Sequence, residues 1–154
     1  MSIVKFYRDD PNAPKTTRPA HLGANAIITS GDKLLLERRR DSDTWGLVGG
    51  GSKKYEELID TIVREVREEL GLRIPKERFQ KLAVYGEPGR IAAYRDGSIW
   101  RMVIGVYRLD LPEDTVLRIS AESRELRWFT REELKNISIV VTHSDVVEEW
   151  FIKE

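Results

Sequence analysis

Three glutamates near the middle of the chain are spaced so that they could bind one cation together. Glu65, Glu68 and Glu69 stand at positions i, i+3 and i+4, and on an ideal helix they would share an arc of roughly 100°. Carboxylates at this spacing repel one another by roughly a few tenths of a kcal/mol. A divalent cation that prefers oxygen ligands would offset this repulsion. The residues alone leave a second interpretation open, a solvated acidic helix face that arginines and water neutralise.

The segment that carries these glutamates is predicted to be a glycine-rich loop followed by one helix. Gly49, Gly50 and Gly51 suit a backbone that turns sharply and approaches a ligand closely. Gly71 stands where a helix commonly ends in a left-handed residue. Apolar residues recur between these limits at helical spacing, namely Ile59, Ile62, Val63, Val66 and Leu70. The helix should therefore bury one apolar stripe.

The spacing of residues 50–72 resembles the Nudix box. Every specified position of that box is filled, and the residues concerned are Gly50, Glu56, Arg64, Glu65, Glu68, Glu69, Gly71 and Leu72. Residues 45–47, Trp-Gly-Leu, resemble the usual lead-in to the glycines. The departures from the family fall on unspecified positions, such as Tyr55, where a second glycine is frequent. Tyr55 is expected either to narrow the loop and reach the substrate or to lie on the surface.

The resemblance implies an enzyme that hydrolyses a nucleoside diphosphate linked to another moiety. Water would attack one phosphorus of the pyrophosphate while Mg²⁺, or Mn²⁺ in its place, holds the attacked group. Matched to the family's motif, Glu65, Glu68 and Glu69 are the implied metal ligands, and Glu65 and Glu68 belong to the catalytic centre. A pyrophosphate is itself an anion, so a site of carboxylates would repel it unless metal ions were bound.

The resemblance assigns supporting roles to other acidic and basic residues. Arg64 would orient the glutamates through charge-assisted hydrogen bonds, and Gly50 would let the loop pass close to the metal and the substrate. Glu56 would either support the loop or bind a further metal. Family members often carry one more carboxylate before a late aromatic pair, so Glu122 is expected to be an additional metal ligand or catalytic base. The alternative for Glu122 is a solvated loop residue.

Recognition of a base or sugar would need residues outside the box. Tyr94 and Trp100 could stack on a base. Arg38, which two further arginines follow, could bind phosphate through its guanidinium. The alternatives are aromatic core residues and a hydrated hairpin end. His21 and His143 have no second ligand at a metal-binding spacing, and both are expected to be structural.

The composition indicates one globular domain, residues 1–154. The chain is 40% hydrophobic and 34% charged, and 26 basic residues balance 26 acidic ones. A net charge of zero offers no bulk field for binding nucleic acid, so a nucleic-acid partner is not expected. The absence of cysteine excludes disulfides and thiolate metal sites. The sequence carries no signal peptide or membrane-spanning run, so a cytoplasmic protein without a membrane partner is expected.

Hydrophobic patterning predicts strands over residues 3–7, 20–29, 33–38, 79–85, 99–109 and 125–129. Residues 9–19 and 41–44 should be loops, and residues 86–98 either a hairpin loop or a mobile substrate loop. A short helix should follow the capping box at Thr130, and residues 146–152 have helical spacing. This mixture predicts an α+β or mixed α/β fold. The resemblance sharpens it to a mixed β-sheet sandwiched between helices.

Three functions follow from the sequence. The first is a divalent-metal-dependent pyrophosphohydrolase that acts on a free nucleotide or nucleotide sugar. The second is an enzyme that acts on the end of an RNA, against which the neutral charge balance counts. The third is a nucleotide-binding regulator that has lost catalysis, although the glutamate set is complete. Loops outside the box would select the substrate. Many members of the family form homodimers, and a homodimer is compatible with this chain.

Overall fold

A computed structural model describes residues 3–39, 44–119, 121 and 123–154. The strands are β1 (Ile3–Arg8), β2 (Arg18–Ser30), β3 (Lys33–Arg39), β4 (Trp45–Gly46), β5 (Val48–Gly51), β6 (Gln80–Tyr85), β7 (Arg90–Tyr94), β8 (Ile99–Asp110) and β9 (Ser123–Phe129). The helices are α1 (Leu58–Leu70), α2 (Arg131–Leu134) and α3 (Val141–Val147), and α3 continues into a π-helical turn, Glu148–Ile152. Within the described ranges, no helix is long and apolar enough to cross a membrane.

The strands form one mixed sheet around the long pair β2 and β8. The sheet runs in the order β1-β7-β8-β2-β3-β4, with β5 also paired to β2, β6 to β8 and β9 to β3. β2 and β8 are parallel and stay in register from His21 opposite Met102 to Thr29 opposite Asp110. β5 pairs with β2 in the antiparallel sense, which sets Gly51 opposite Gly23. The glycine-rich stretch is therefore a strand of the sheet.

Two cores lie on opposite faces of this sheet, because successive residues of a strand point to opposite sides. On β2, Ala24, Ala26 and Ile28 pack with α1. Ile27 packs on the other face, in a core that includes Val146 and Phe151 of the C-terminal helical segment. This arrangement confirms the predicted mixed sheet sandwiched between helices.

Most predicted elements are present, with three corrections. Gly49, Gly50 and Gly51, predicted to form a loop, belong to β5, because their backbone pairs with β2. Residues 86–98 are not a loop throughout, because they contain β7, which pairs with β1 on one side and β8 on the other. The last helical segment begins at Val141, five residues earlier than predicted. The predicted capping box is confirmed, since the Glu133 N–H donates to Thr130 Oγ1 and the Thr130 N–H to Glu133 Oε1. The loop predicted over residues 41–44 lies mostly outside the described residues.

Candidate active site

α1 ends as the sequence predicts. Gly71 adopts a left-handed φ of 70°, and its N–H donates to the Arg67 carbonyl. Ile62, Val66 and Leu70 are fully buried, while Ile59 and Val63 pack at the edge of the same core. The apolar stripe thus fixes the rotation of α1, and that rotation points its glutamates towards the glycine-rich strand.

Arg64 connects the acidic residues of this region. Its Nε lies 2.7 Å from Glu56 Oε2, and its Nη1 lies 2.8 Å from Glu65 Oε1 and 3.1 Å from Glu68 Oε2. Nη2 donates to the Gly51 carbonyl at 2.9 Å. One guanidinium therefore holds three carboxylates and the glycine-rich strand together, as the resemblance implied for an orienting arginine.

Glu56 forms hydrogen bonds within the loop that precedes α1 and with α1 itself. Besides its pairing with Arg64, Oε1 accepts hydrogen bonds from the Lys53 N–H at 2.8 Å and from Thr61 Oγ1 at 3.1 Å. These hydrogen bonds, above all those from Arg64, lower the pKa of Glu56 to about 2. Thr61 also contacts Ser52 Oγ at 2.8 Å. Of the two roles expected for Glu56, these contacts favour support of the loop.

Glu65 and Glu69 face the glycine-rich strand more closely than Glu68 does. Glu69 is 3% exposed and accepts a hydrogen bond from the Gly49 N–H at 3.1 Å. A Cβ at Gly50 would lie 2.6 Å from Glu65 Oε1, so only glycine leaves room for this carboxylate. Glu68 stands at the rim, with its side chain 49% exposed. We call Glu65, Glu68, Glu69 and Arg64 the acidic edge.

The donor set of the acidic edge fits a hard divalent cation. Burial raises the pKa of Glu65 despite the opposing effects of the Arg64 guanidinium and of the adjoining Glu69 carboxyl group. Two adjoining carboxyl groups are stabilised by sharing a proton or a cation, and hard cations take oxygen ligands. Among the described residues, no group of three or more acidic or histidine side chains is arranged to hold a metal ion. Arg64 supplies the neutralising charge in this arrangement.

A cavity of about 350 Å³ opens on the other face of the glycine-rich strand. Its lining is mainly apolar and glycine backbone, and its polar side chains are His21, Asn25, Tyr94, Trp100, Thr142 and His143. No Asp, Glu, Lys or Arg stands among the described residues that line it. The volume is typical of a small-molecule site, and the uncharged lining suits an uncharged, flat group.

Three aromatic rings form one wall of the cavity. The His21 and Trp100 ring centroids are 5.7 Å apart at 59°, and His21 and Tyr94 meet edge-on at 6.2 Å. Tyr94 Oη lies 3.3 Å from His21 Nδ1, and Trp100 Nε1 donates to Ser98 Oγ at 3.0 Å. Trp100 is therefore a half-buried wall residue and not part of either core.

The opposite wall comes from α3, which a buried arginine holds against the sheet. Arg90 on β7 is 0% exposed and donates to the Thr142 carbonyl and to Asp145. His143 Nδ1 accepts a hydrogen bond from the Leu47 N–H at 3.0 Å, which ties α3 to the segment between β4 and β5. Strands β2, β7 and β8 and helix α3 thus meet around one cavity beside the acidic edge.

A family model for the NUDIX domain matches residues 19–150. The chain belongs to the Nudix family. This match covers most of the chain, and the predictions of a Nudix fold and of a Nudix hydrolase are confirmed by it together with the relatives below. Nudix hydrolases act on nucleoside diphosphate derivatives and generally use a divalent metal.

Two curated relatives are similar along most of the Nudix domain. A MutT-like protein of Streptomyces ambofaciens is 31% identical over 131 residues, which cover 84% of this chain and 76% of the relative. The nucleoside triphosphatase NudI of Enterobacter sp. (strain 638) is 28% identical over 108 residues, which cover 70% of this chain and 76% of the relative.

Solved Nudix structures share the fold. The MutT NUDIX hydrolase from Burkholderia pseudomallei aligns with a TM-score of 0.70 at 23% identity, covering 86% of this chain and 98% of that one. The NUDIX domain of Shewanella oneidensis NrtR, complexed with ADP ribose, has a TM-score of 0.66 at 20% identity, covering 91% and 90%. A bifunctional NMN adenylyltransferase/ADP ribose pyrophosphatase from Francisella tularensis, complexed with AMP and a Mn ion, aligns with a TM-score of 0.66 at 17% identity. Its alignment covers 91% of this chain but only 42% of that one.

The Nudix fold brings most of the predicted site residues to two adjoining places. Arg64 and the three glutamates of α1 form the acidic edge, and Gly50, Tyr94 and Trp100 line the cavity. His21 and His143, expected to be structural, line the cavity too, although His143 also has the structural bond to Leu47. Sequence reasoning missed Asn25 and Thr142, since neither stands in a motif, and only the register of β2 and the placement of α3 bring them there.

Two predicted residues lie away from these places, and a third is not described by the structure. Arg38 is not among the residues that line the cavity, and its guanidinium lies 6.0 Å from the Trp45 ring centroid and 3.8 Å from Glu125 Oε1. Tyr55 is 90% exposed, which favours its interpretation as a surface ring. Glu122, predicted as an extra ligand or base, lies outside the described residues.

Proposed function

We propose that the protein is a divalent-cation-dependent pyrophosphohydrolase that acts on a free nucleotide or nucleotide sugar. The observation that carries this proposal is that the acidic edge and the cavity share the strand β5. Gly50 abuts Glu65 on the acidic edge, while Gly51 abuts His21 in the cavity. One extended ligand with an anionic end and an uncharged end would fit both places at once.

The acidic edge is the proposed site for the pyrophosphate. Glu65, Glu68 and Glu69 would hold Mg²⁺ or Mn²⁺, and Arg64 would keep Glu65 and Glu68 in orientation. A bound divalent cation neutralises phosphate charge, polarises the phosphorus and lowers the pKa of water. We assign Glu56 to support of the loop, because both of its oxygens already accept hydrogen bonds from Arg64. The Mn ion in the Francisella relative supports the choice of metal.

The cavity is the proposed site for the base. Tyr94 and Trp100 offer aromatic faces that a base can stack on. The side chains of Asn25 and Thr142 offer polar atoms for its edge. A base is uncharged near pH 7, in keeping with a lining whose described residues include no acidic or basic side chain other than histidine. Phosphates would be disfavoured there, since none of the lining side chains would neutralise them.

The proposal is tested with a panel of nucleoside triphosphates, ADP-ribose, nucleotide sugars and dinucleoside polyphosphates in the presence of Mg²⁺ or Mn²⁺. We expect release of a mononucleotide and its partner phosphate compound from at least one member, and loss of turnover when the metal is chelated. ADP-ribose is the first compound to try, because the Shewanella NUDIX domain binds it. Tight binding of one member without turnover would instead favour a regulator.

The metal site has a readout that does not depend on activity. A cation that binds the native acidic edge better than the unfolded chain raises the melting temperature by mass action. The rise on adding Mg²⁺ should disappear when Glu65→Gln and Glu68→Gln are combined. An equal rise in that double variant would place the stabilising ions elsewhere.

A further inference from the structure

His21 stands at the point where the cavity meets the glycine-rich strand. A Cβ at Gly51 would lie 2.9 Å from Cε1 and 3.2 Å from Nε2 of the imidazole, so the ring is packed against the strand backbone. The next residue, Gly50, is packed against the Glu65 carboxylate. A ligand that reached from the acidic edge into the cavity across Gly50 and Gly51 would pass the Nε2 side of the His21 ring.

The two ring nitrogens of His21 differ in their partners. Nδ1 lies 3.3 Å from Tyr94 Oη, whereas Nε2 has no hydrogen-bond partner among the described residues. Burial raises the pKa of the Tyr94 phenol, so this hydroxyl keeps its proton and can donate it to Nδ1. When the hydroxyl donates to Nδ1, the neutral ring carries its proton on Nε2. The ring then presents an N–H donor beside Gly51.

This donor is uncharged under ordinary conditions. Burial lowers the pKa of His21 below its usual value of 6.5, so the ring is neutral near pH 7. Proteins commonly bind phosphate groups with charged Arg or Lys side chains. A neutral N–H in a half-buried position suits an uncharged oxygen instead, such as a hydroxyl group.

We propose that His21 is a specificity-determining residue that donates a hydrogen bond from Nε2 to a ribose hydroxyl of the substrate. This inference rests on the proposed function, in which the pyrophosphate binds at the acidic edge and the base in the cavity. The ribose joins these two parts of a nucleotide, so it must lie where the two places meet, and His21 lines that position. Tyr94 is then a positioning residue, because its hydroxyl sets the tautomer of His21.

The experiment compares ribonucleotides with their 2′-deoxy and 3′-deoxy counterparts, for binding by calorimetry and for turnover. The wild-type protein should prefer the compound with the recognised hydroxyl. His21→Phe keeps a ring but removes the donor, and should lower affinity for the preferred compound about tenfold, the effect of one neutral hydrogen bond. The affinity of the same variant for the deoxy compound should stay almost unchanged. His21→Gln, whose amide can place an N–H near the same position, should restore part of the preference.

A second variant distinguishes recognition from packing. Tyr94→Phe should weaken the preference for the hydroxyl less than His21→Phe does. When the two substitutions are combined, the preference should be the same as in His21→Phe alone. The inference is overturned if His21→Phe weakens the binding of the ribo and deoxy compounds equally, or if it changes the binding of neither. Binding of a ribonucleotide without turnover would defeat the proposed function while the binding comparison still tests His21. Turnover with an unchanged preference would defeat only the role of His21.

Discussion

The acidic edge and the cavity are adjoining parts of one site, but they are built in opposite ways. The acidic edge comes from one helix, so sequence spacing alone sets the relative positions of Glu65, Glu68 and Glu69. The cavity comes from β2, β7, β8 and α3, which are distant in the sequence. Its geometry depends on the parallel pairing of β2 with β8 and on the Arg90 contacts that hold α3.

The two regions also differ in charge. The acidic edge concentrates carboxylates around one guanidinium, whereas the described lining of the cavity has no acidic residue, lysine or arginine. A cation and a pyrophosphate need the first environment, and a base needs the second. The difference indicates a division of labour, in which changes at the acidic edge alter turnover of every substrate and changes in the cavity alter which substrate is preferred.

The largest effect should come from Glu68→Gln. The substitution keeps the shape of the side chain and removes one proposed metal ligand, so turnover of all substrates should fall by about two orders of magnitude or more. Because the side chain is 49% exposed, the melting temperature should hardly change. Glu132→Gln is the matched control, since Glu132 is an exposed glutamate paired with Lys135 far from the site. Wild-type turnover in a folded Glu68→Gln protein would remove the metal assignment.

Neighbouring glycines offer a second way to separate chemistry from folding. The three atoms nearest to a Cβ at Gly50 all belong to the Glu65 carboxylate, the closest at 2.6 Å, and the end of that flexible side chain can move. Gly50→Ala should therefore fold normally but lose about tenfold or more in turnover, because a displaced ligand weakens the metal site.

Gly49→Ala is the contrasting variant. Gly49 has a φ of 150°, and a Cβ there would lie 2.1 Å from the Ala24 carbonyl oxygen, which belongs to the backbone. We expect a loss of about 2 kcal/mol or more of unfolding free energy in urea. If Gly50→Ala were the less stable of the two proteins, movement of the Glu65 side chain would not be enough to accommodate the added methyl group.

The same comparison explains which parts of the molecule could be predicted from its sequence. Helical spacing is a local signal, and α1, its end at Gly71 and the box residues follow from it. Strand pairing is not local, so nothing in residues 86–98 indicated that β7 would lie between β1 and β8. Short strands with alanines and flanking glycine or proline carry a weak pattern, and their partners decide their conformation.

The histidines illustrate the same limit. A lone histidine without a second ligand at close spacing gives no functional signal in one sequence. The register that sets His21 beside Gly51 depends on β2 pairing with β5. His143 reaches the cavity because Arg90, from a strand that was not predicted, holds the adjacent turn of α3. Long-range contacts thus decide which residues recognise the substrate.

A smaller effect is expected from the aromatic wall. Tyr94→Ala and Trp100→Ala remove stacking faces from the cavity and leave the acidic edge intact. We expect the order of substrates by kcat/KM to change, with losses of about tenfold for the preferred compound, since stacking of one base contributes about 1–3 kcal/mol. The measurement uses the same nucleotide panel for each variant. If both variants keep the wild-type order, Arg38 and the residues that follow it become the next candidates for specificity.

The smallest effect concerns Glu56, which would support the acidic edge without binding metal. Its folded pKa of about 2 lies below the ordinary value of 4.5, so the unfolded state binds more protons between these values. The stabilisation by Glu56 is therefore complete above about pH 4.5 and disappears as the pH falls towards 2. Glu56→Gln should cost about 1–2 kcal/mol of unfolding free energy at pH 7, because it weakens charge-assisted bonds to a partly exposed arginine.

The pH dependence of the unfolding free energy lost in Glu56→Gln tests whether the charge of Glu56 supports the loop. Urea unfolding of the wild-type and Glu56→Gln proteins without metal should give free energies that differ at pH 7 and converge as the pH falls from about 4.5 towards 2. Mg²⁺ should still raise the melting temperature of Glu56→Gln, since Glu65, Glu68 and Glu69 remain. Loss of that rise would make Glu56 a metal ligand, the alternative that the resemblance left open. A difference in stability that stayed constant down to pH 2 would show that packing of the side chain, and not its charge, supports the loop.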